Sequence, residues 1–200
     1  MLFGREFMPE GAGVSPDAPR KKGVARLVEI LSRDLDSIFL SGLLALLACV
    51  PAAVLIGLAL WLGSLPLCLL AAVAAGWLVG PALTGLYDTI LRALRDEPGY
   101  WWATYRRAWK RNAKASLLPG VVFGLLLGAE IFSMFHTDWA QNPVLIAVMF
   151  VGVFLLLGLA LLTFTQIALL EMSFAGILRN ALLLLLGYLP RAALAVLWLL

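Results

Sequence analysis

The sequence contains few charged residues, and this shortage decides the class of protein. Lys, Arg, Asp and Glu make up 14% of the 200 residues, whereas hydrophobic residues make up 62%. A soluble domain carries about 25% charged and about 45–50% apolar residues. A chain this apolar cannot cover itself with polar surface, so an ordinary soluble fold is excluded and a membrane protein is indicated.

Histidine and cysteine are also scarce. His136 is the only histidine, which excludes a zinc site built from several histidines. Cys49 and Cys68 lie in apolar runs, where cysteine behaves as a small hydrophobic residue, and their spacing indicates no metal site. We therefore expect no bound metal and no cofactor.

Motifs of catalysis and of energy coupling are missing as well. The chain contains no P-loop, no H-E-x-x-H and no G-x-S-x-G, so we expect neither an enzyme nor a self-powered transporter. An enzyme acting on lipids would need polar residues clustered at one depth in the membrane, and the sequence indicates no such cluster.

Long apolar runs predict an all-α, polytopic transmembrane helix bundle of about five spans, because about 20 apolar residues cross the hydrocarbon core. The predicted spans are residues 38–62, 65–91, 117–135, 144–170 and 181–200, the last starting instead near 190 if the segment before it lies on the membrane. Pro143 suits the start of the fourth span. The first run is too long for the core of a cleaved signal peptide. The chain ends inside an apolar run, so we expect the natural protein to continue past Leu200.

The region before the first span divides into two parts. Residues 1–22 have the composition of a disordered cytoplasmic tail, and the membrane domain is expected to cover residues 23–200. Residues 23–37 carry apolar side chains at helical spacing with charges between them, which predicts an amphipathic helix lying on the membrane surface.

The distribution of Lys and Arg predicts the orientation. The segment before the first span holds six of them and residues 92–116 hold seven, whereas the turns 63–64 and 136–142 hold none. Because cytoplasmic loops are enriched in Lys and Arg, the N-terminus and the loop 92–116 are expected to be cytoplasmic.

Residues 96–114 separate aromatic from basic side chains. One helical face carries Trp101, Tyr105, Trp109 and Asn112, and the opposite face carries Arg106, Arg107, Lys110, Arg111 and Lys114. Asp96 and Glu97 before Pro98 suit a helix start. Asn112 is expected at a corner where the chain turns into the third span and where Pro119 leaves a carbonyl unpaired.

Three interpretations compete for this segment. An amphipathic helix at an anionic inner leaflet explains both faces, since Trp and Tyr favour the interface and each nearby cation gains about 1 kcal/mol. A docking surface for a cytoplasmic partner is a less favoured interpretation that is compatible with the first. Basic and aromatic residues also bind single-stranded nucleic acid. Short spans tether the segment on both sides, however, so no nucleic-acid partner is expected.

Glycines recur every four residues in two of the predicted spans. Gly120, Gly124 and Gly128 form one such ridge, and Gly76 and Gly80 form another. Small residues at this spacing let helix backbones approach closely. The ridges indicate close contact between the second and third spans, or with a partner protein, and a homo-oligomer is compatible with the second alternative.

Two ionisable residues fall inside apolar runs. Glu130 lies in the outer half of the third span, where it indicates a functional group or, alternatively, a carboxylate reaching the interface near His136 and Asp138. Arg191 breaks the charge asymmetry unless the last span begins at Pro190 and the preceding segment lies along the membrane surface.

The stretch Gly80 to Gly120 resembles the YesL-like family of bacterial integral membrane proteins. The matching residues are Pro81, Ala82, Leu83, Leu86 and Tyr87, then Arg95, Asp96, Glu97, Gly99 and Tyr100, then Asn112, with Asn180-Ala181-Leu182 and Leu189-Pro190-Arg191 downstream. The chain departs from the family by about 20 extra residues before the Gly-Pro-Ala stretch, enough for one more crossing.

The resemblance implies a location and a role. Members are associated with carbohydrate uptake and degradation systems, which implies a multi-pass protein of the bacterial cell membrane that acts as an accessory or regulatory component beside an ABC transporter permease. A small transporter or channel-forming oligomer is the alternative, and it would need a polar pathway for which Asp88, Glu130 and Arg191 are the available residues.

Overall fold

The structure is a computed structural model that describes residues 21–97, 99–139 and 141–191 and Leu194. The described residues form five α-helices and no β-strand. The helices are α1 (Val24–Trp61), α2 (Leu65–Leu94), α3 (Trp101–His136), α4 (Pro143–Leu169) and α5 (Phe174–Gly187). Most of the predicted disordered tail, the predicted helix start at Pro98 and most of the predicted last span lie outside the described residues.

Four of these helices, α1 to α4, are long and apolar enough to cross a membrane. The chain is therefore a multi-pass, all-α membrane protein, as the apolar runs predicted. Helix α4 begins at Pro143 as predicted. The side chain of Ser64 caps α2 by accepting a hydrogen bond from the backbone N–H of Leu67.

The amphipathic segment 23–37 is not a separate surface helix. It is the first part of α1, which runs without interruption from Val24 to Trp61. No helix-breaking residue lies near residue 38, so the backbone hydrogen bonds continue through it. At 1.5 Å per residue α1 is about 57 Å long. Its charged beginning therefore extends past an apolar layer of about 30 Å.

The connection between the second and third spans is likewise shorter than the predicted loop 92–116. Helix α2 continues to Leu94 and α3 starts at Trp101, so only residues 95–100 connect them. Helix α3 then runs through Pro119 to His136 without a corner at Asn112. The expectation that Asn112 serves a turn into the third span is therefore wrong.

The helix that follows the fourth span is shorter than the predicted span over residues 181–200 would require. Helix α5 has 14 residues and ends at Gly187, with a hydrogen bond from the N–H of Tyr188 to the carbonyl of Leu184. At about 21 Å it is too short to cross the membrane. An unbroken span over 181–200 is thus wrong, whereas a span starting near residue 190 lies largely outside the described residues.

Helices α2 and α3 form the centre of the bundle and touch backbone to backbone. A Cβ atom built on Gly76 would overlap the carbonyl group of Gly120, and one built on Gly120 would overlap the carbonyl group of Gly76. A Cβ on Gly80 would likewise overlap the carbonyl group of Ser116, and one on Gly124 that of Ala72, whereas a Cβ on Gly128 would overlap the Cβ of Ala72. The two glycine ridges therefore face each other within one chain.

The remaining helices pack around this pair. Helix α1 lies mainly against α2, while α4 contacts both α2 and α3 and α5 packs on α4. An apolar cluster joins α3, α4 and α5 through Phe123, Phe164, Ile167 and Ile177. The turn at Gly63 lies beside His136, with 3.8 Å between a Cβ built on Gly63 and the imidazole Nε2. We call the end with the connections 62–64 and 137–142 the loop end, and the other, with 95–100 and 170–173, the basic end.

Candidate functional site at the basic end

Two buried carboxylates organise the basic end of the bundle. Asp96 lies in the connection between α2 and α3, and Asp88 lies two turns before the end of α2. Their side chains are 4% and 3% exposed, respectively. Buried carboxylates need charged or hydrogen-bonding partners, and arginines of α1, α2 and α3 supply them here.

Asp96 ties the α2–α3 connection to α1. Its carboxylate accepts hydrogen bonds from Arg26 at 2.6 Å and from Arg33 at 2.5 Å. Arg33 also donates to the carbonyl of Ala93 at 2.9 Å. The hydrogen bond from Arg33, together with the one from Arg26, holds the pKa of Asp96 below its ordinary value of 3.8. Since Arg26 and Arg33 lie seven residues apart, one face of α1 reaches this carboxylate with both side chains.

Asp88 ties α2 to α3. One carboxylate oxygen accepts from Nε of Arg92 at 2.8 Å, and the other accepts from Nη2 of Arg111 at 3.0 Å. Arg92 also bonds Glu97 at 3.1 Å. Arg111 approaches the carbonyl of Ala168 at 3.5 Å and thereby reaches the end of α4. A single buried carboxylate thus fixes the mutual position of three helices.

Asn112 lies beside this cluster and is 6% exposed. Its Oδ1 faces Nε of Arg111 at 3.5 Å, whereas its Nδ2 has no hydrogen-bond partner among the described residues. A buried amide N–H without a partner is destabilising, so this donor requires an explanation beyond packing.

The aromatic face of α3 is partly buried in the bundle, although all its aromatic side chains were predicted to insert at the lipid interface. Tyr105 is 6% exposed, its ring fills the space above Gly85, and its hydroxyl donates to the carbonyl of Ala82 at 3.4 Å. Trp101 is half-buried, whereas Trp102 and Trp109 are exposed. Trp102 stacks on Tyr105 with an angle of 12° between the rings.

The burial of Tyr105 and Asn112 has a simple cause. Because α3 is continuous, Asn112 lies on the same helical face as the glycine ridge, and this face packs against α2. The positions Asn112, Ser116, Gly120, Gly124 and Gly128 follow one another at intervals of four residues. That period is the signal from which the orientation of Tyr105 and Asn112 could have been derived.

The basic face of α3 points away from the bundle. Arg106, Arg107, Lys110 and Lys114 are exposed, whereas Arg111 is drawn towards Asp88. The structure thus divides the predicted basic stripe into an exposed part and one arginine that holds the fold together.

The two intramembrane ionisable residues lie apart from this site. A Cβ built on Gly152 would lie 2.8 Å from Oε1 of Glu130, so the carboxyl group lies between α3 and α4. Arg191 is exposed and its guanidinium lies 5.5 Å from the ring centroid of Tyr188. Among the described residues, no three His, Cys, Asp or Glu side chains could hold a metal ion.

The residues that carried the family resemblance are spread over several environments. Pro81 is buried in α2, and Tyr87 packs against the apolar cluster. Arg95 and Glu97 form an ion pair of 2.9 Å beside Asp96. Gly99 and Tyr100 precede α3 and are exposed, and Asn180 in α5 contacts the sulfur of Met172 at 3.9 Å.

Sequence reasoning missed the polar cluster itself. Asp88, Arg92, Arg111 and Asn112 meet at one depth, although no such cluster was expected. The four-residue spacing of Asp88 and Arg92 could have predicted the contact between these two members of the cluster, because side chains at that spacing meet on a helix. Comparison with family models, with curated proteins and with solved structures finds no match to this chain.

Proposed function

We propose that the chain is a non-enzymatic accessory subunit of a larger membrane complex, to which it docks through the exposed basic face of α3. The observation that carries this proposal is the continuity of α3. Arg107, Lys110 and Lys114 project from the same rigid helix that the glycines bind to α2. A rigid, exposed cationic surface suits a fixed partner, because no ordering of a flexible loop opposes association.

The proposed setting is the bacterial cell membrane with the basic end in the cytoplasm. Support comes from charge: the connection 95–100 and the helix ends beside it carry arginines and lysines, whereas the turns 63–64 and 136–142 carry none. Retention of Lys and Arg on the cytoplasmic side is the strongest determinant of orientation. Anionic lipids of the inner leaflet would then surround the exposed cations.

The proposed partner is the permease of an ABC-type carbohydrate uptake system. This part rests on the resemblance of Gly80 to Gly120 to the YesL-like family. A photo-reactive amino acid at Lys110 should cross-link to such a permease in native membranes, and one at Leu55, exposed on α1, should not.

Two variants that remove positive charge at different places provide a further test. Changing Arg107, Lys110 and Lys114 to Gln should abolish co-purification of the permease, and added salt should weaken it in the wild type. Changing Lys21 and Lys22 to Gln, which lie before α1, should leave it intact. Equal recovery of permease with both variants would exclude the basic face as the docking surface.

The alternative is a small transporter or channel-forming oligomer. It is favoured by Glu130, whose carboxyl group lies between α3 and α4. Cys68 lies level with Gly128, which puts Asp88 and Glu130 about 33 Å apart along α2. Such a distance leaves a long apolar stretch between the two polar groups, which disfavours a pathway within one chain. Solute uptake by proteoliposomes, lost in Glu130→Gln, would support this alternative.

A further inference from the structure

A polar cavity of about 280 Å³ opens at the basic end between α2, α3 and the end of α4. Its side-chain walls are Asp88, Arg92, Arg95, Glu97, Arg111 and Asn112, and residues 167–171 close the far side. Since a water molecule occupies about 30 Å³, the cavity has room for a small polar molecule or a lipid headgroup. Nothing in the proposed docking role requires it.

The unused hydrogen-bonding capacity of this cavity consists mainly of donors. Both oxygens of Asp88 accept from arginines, and both oxygens of Glu97 accept from Arg92 and Arg95. Each guanidinium has five N–H groups, however, and these bonds use only a few of them. The cavity therefore matches a ligand rich in acceptor atoms.

Asn112 supplies an independent indication of the same ligand chemistry. It is 94% buried, since its exposed fraction is 6%, and it lines the cavity. Its Oδ1 faces Arg111, because a guanidinium only donates, and this leaves the enclosed Nδ2 donor without a partner among the described residues. If the amide turned towards the cavity, a ligand acceptor there would remove the penalty of burying an unpaired N–H.

The charges of the cavity are unevenly placed. Its lining is neutral as a whole, with three arginines and the carboxylates of Asp88, Glu97 and Glu171, but the wall that holds Asn112 carries all three arginines and only the first two carboxylates. Glu171 and the carbonyl end of α4 lie on the far wall and need donors instead. A phosphate ester carrying a free hydroxyl satisfies both walls, since its oxygens accept from Asn112 and arginine and its hydroxyl donates to the far side.

We propose that this cavity binds the phosphate group of a phosphate ester, supplied either by a phospholipid headgroup or by a small soluble ester. Leu169 and Leu170, exposed at the rim, would contact the acyl chains of a lipid. The proposal is independent of the docking role of the basic face, because Arg107, Lys110 and Lys114 do not line the cavity.

The test uses the full chain in nanodiscs of phosphatidylcholine, with and without phosphatidylglycerol, and with glycerol 3-phosphate added to the lipid that lacks phosphatidylglycerol. Thermal unfolding and native mass spectrometry report binding. We expect one of the two esters to raise the melting temperature of the wild type. Stabilisation by phosphatidylglycerol alone identifies a lipid headgroup as the ligand, and stabilisation by glycerol 3-phosphate identifies a soluble ester.

Two variants inside the cavity and one outside make the test specific. Asn112→Asp replaces the donor by an acceptor of equal size and should weaken binding at least about tenfold. Arg95→Gln, on the partly exposed rim, should weaken it as well and serves if Asn112→Asp fails to fold. Arg107→Gln removes the same charge from the exposed face and should bind like the wild type.

Either of two results overturns the proposal. If neither ester stabilises the wild type, water satisfies Asn112 and the cavity is not a phosphate site. If Arg107→Gln loses as much binding as Arg95→Gln, the effect is general attraction between a basic protein and an anionic ligand.

Discussion

Helices α2 and α3 are held together by opposite means at their middle and at the basic end. In the middle, Gly76 and Gly120 bring the backbones of α2 and α3 into direct contact, without any side chain between them. At the basic end Asp88 and Arg111 bridge a wider gap with charges. Dispersion and close packing stabilise helix contacts in lipid, whereas ion pairs stabilise them where water and headgroups begin. The middle contact requires an absence of side chains, and the basic-end contact requires particular side chains.

The largest expected effect comes from filling the glycine contact. Gly120→Leu would force α2 and α3 apart, since even a Cβ overlaps the carbonyl of Gly76. We expect a loss of about 3 kcal/mol or more, seen as loss of folded protein in size-exclusion chromatography. Gly57→Leu is the matched control, because a Cβ there meets nothing within 4 Å. Equal melting temperatures of the two variants would contradict a glycine-mediated contact.

A smaller effect is expected from removing the charge that joins α2 and α3. Asp88→Asn leaves Arg92 and Arg111 without their shared carboxylate. Breaking a fully buried pair costs about 3–5 kcal/mol, but Arg111 is 47% exposed and can turn towards water, so we expect about 2 kcal/mol. Thermal unfolding in detergent measures it, with Asp36→Asn on the exposed face of α1 as control. A shift no larger than that of the control would mean that the Asp88 bridges do not stabilise the bundle.

The tie between α1 and the α2–α3 connection should depend on pH. The pKa of Asp96 is lowered in the folded state, so its contribution to stability is complete above about pH 4 and is lost as the pH falls through the folded pKa. Asp96→Asn should therefore destabilise the protein near neutral pH, and its difference from the wild type should shrink on acidification. Asn is the suitable replacement because residue 96 has a φ of 59°, which Asn tolerates.

Thermal unfolding of both proteins between about pH 7 and about pH 3 measures this difference. Asp36→Asn, on the exposed face of α1, is the control. A gap for Asp96→Asn that stays constant across the range would contradict an ion-paired Asp96.

The smallest effect on stability is expected on the exposed basic face. Changing Arg107, Lys110 and Lys114 together to Gln should alter the free energy of unfolding by no more than about 0.5 kcal/mol, because these side chains hold no other helix. Arg111→Gln on the same helix should cost more, since Arg111 bonds Asp88. If the triple variant were less stable than Arg111→Gln, the exposed cations and not Arg111 would hold α3 in the bundle.

Sequence alone determined the features that depend on neighbours along the chain. Apolar runs located four helices that can cross a membrane, because their length and composition are local properties. Pro143 marked the start of α4, since the preference of proline for the first helical position is local. The four-residue period from Gly120 to Gly128 marked the face of α3 that meets α2.

Only the tertiary structure decided how distant residues are combined. Nothing local distinguishes Arg111 from Lys110, yet one bonds Asp88 and the other stays exposed, because helical rotation relative to α2 separates them by about 100°. Asp96 meets Arg26 and Arg33 across 70 and 63 residues of sequence. The pairings of Asp96 follow from the packing of α1 on α2, which depends on the shapes of whole helices. The buried donor of Asn112 exists because the packing of α3 on α2 encloses it.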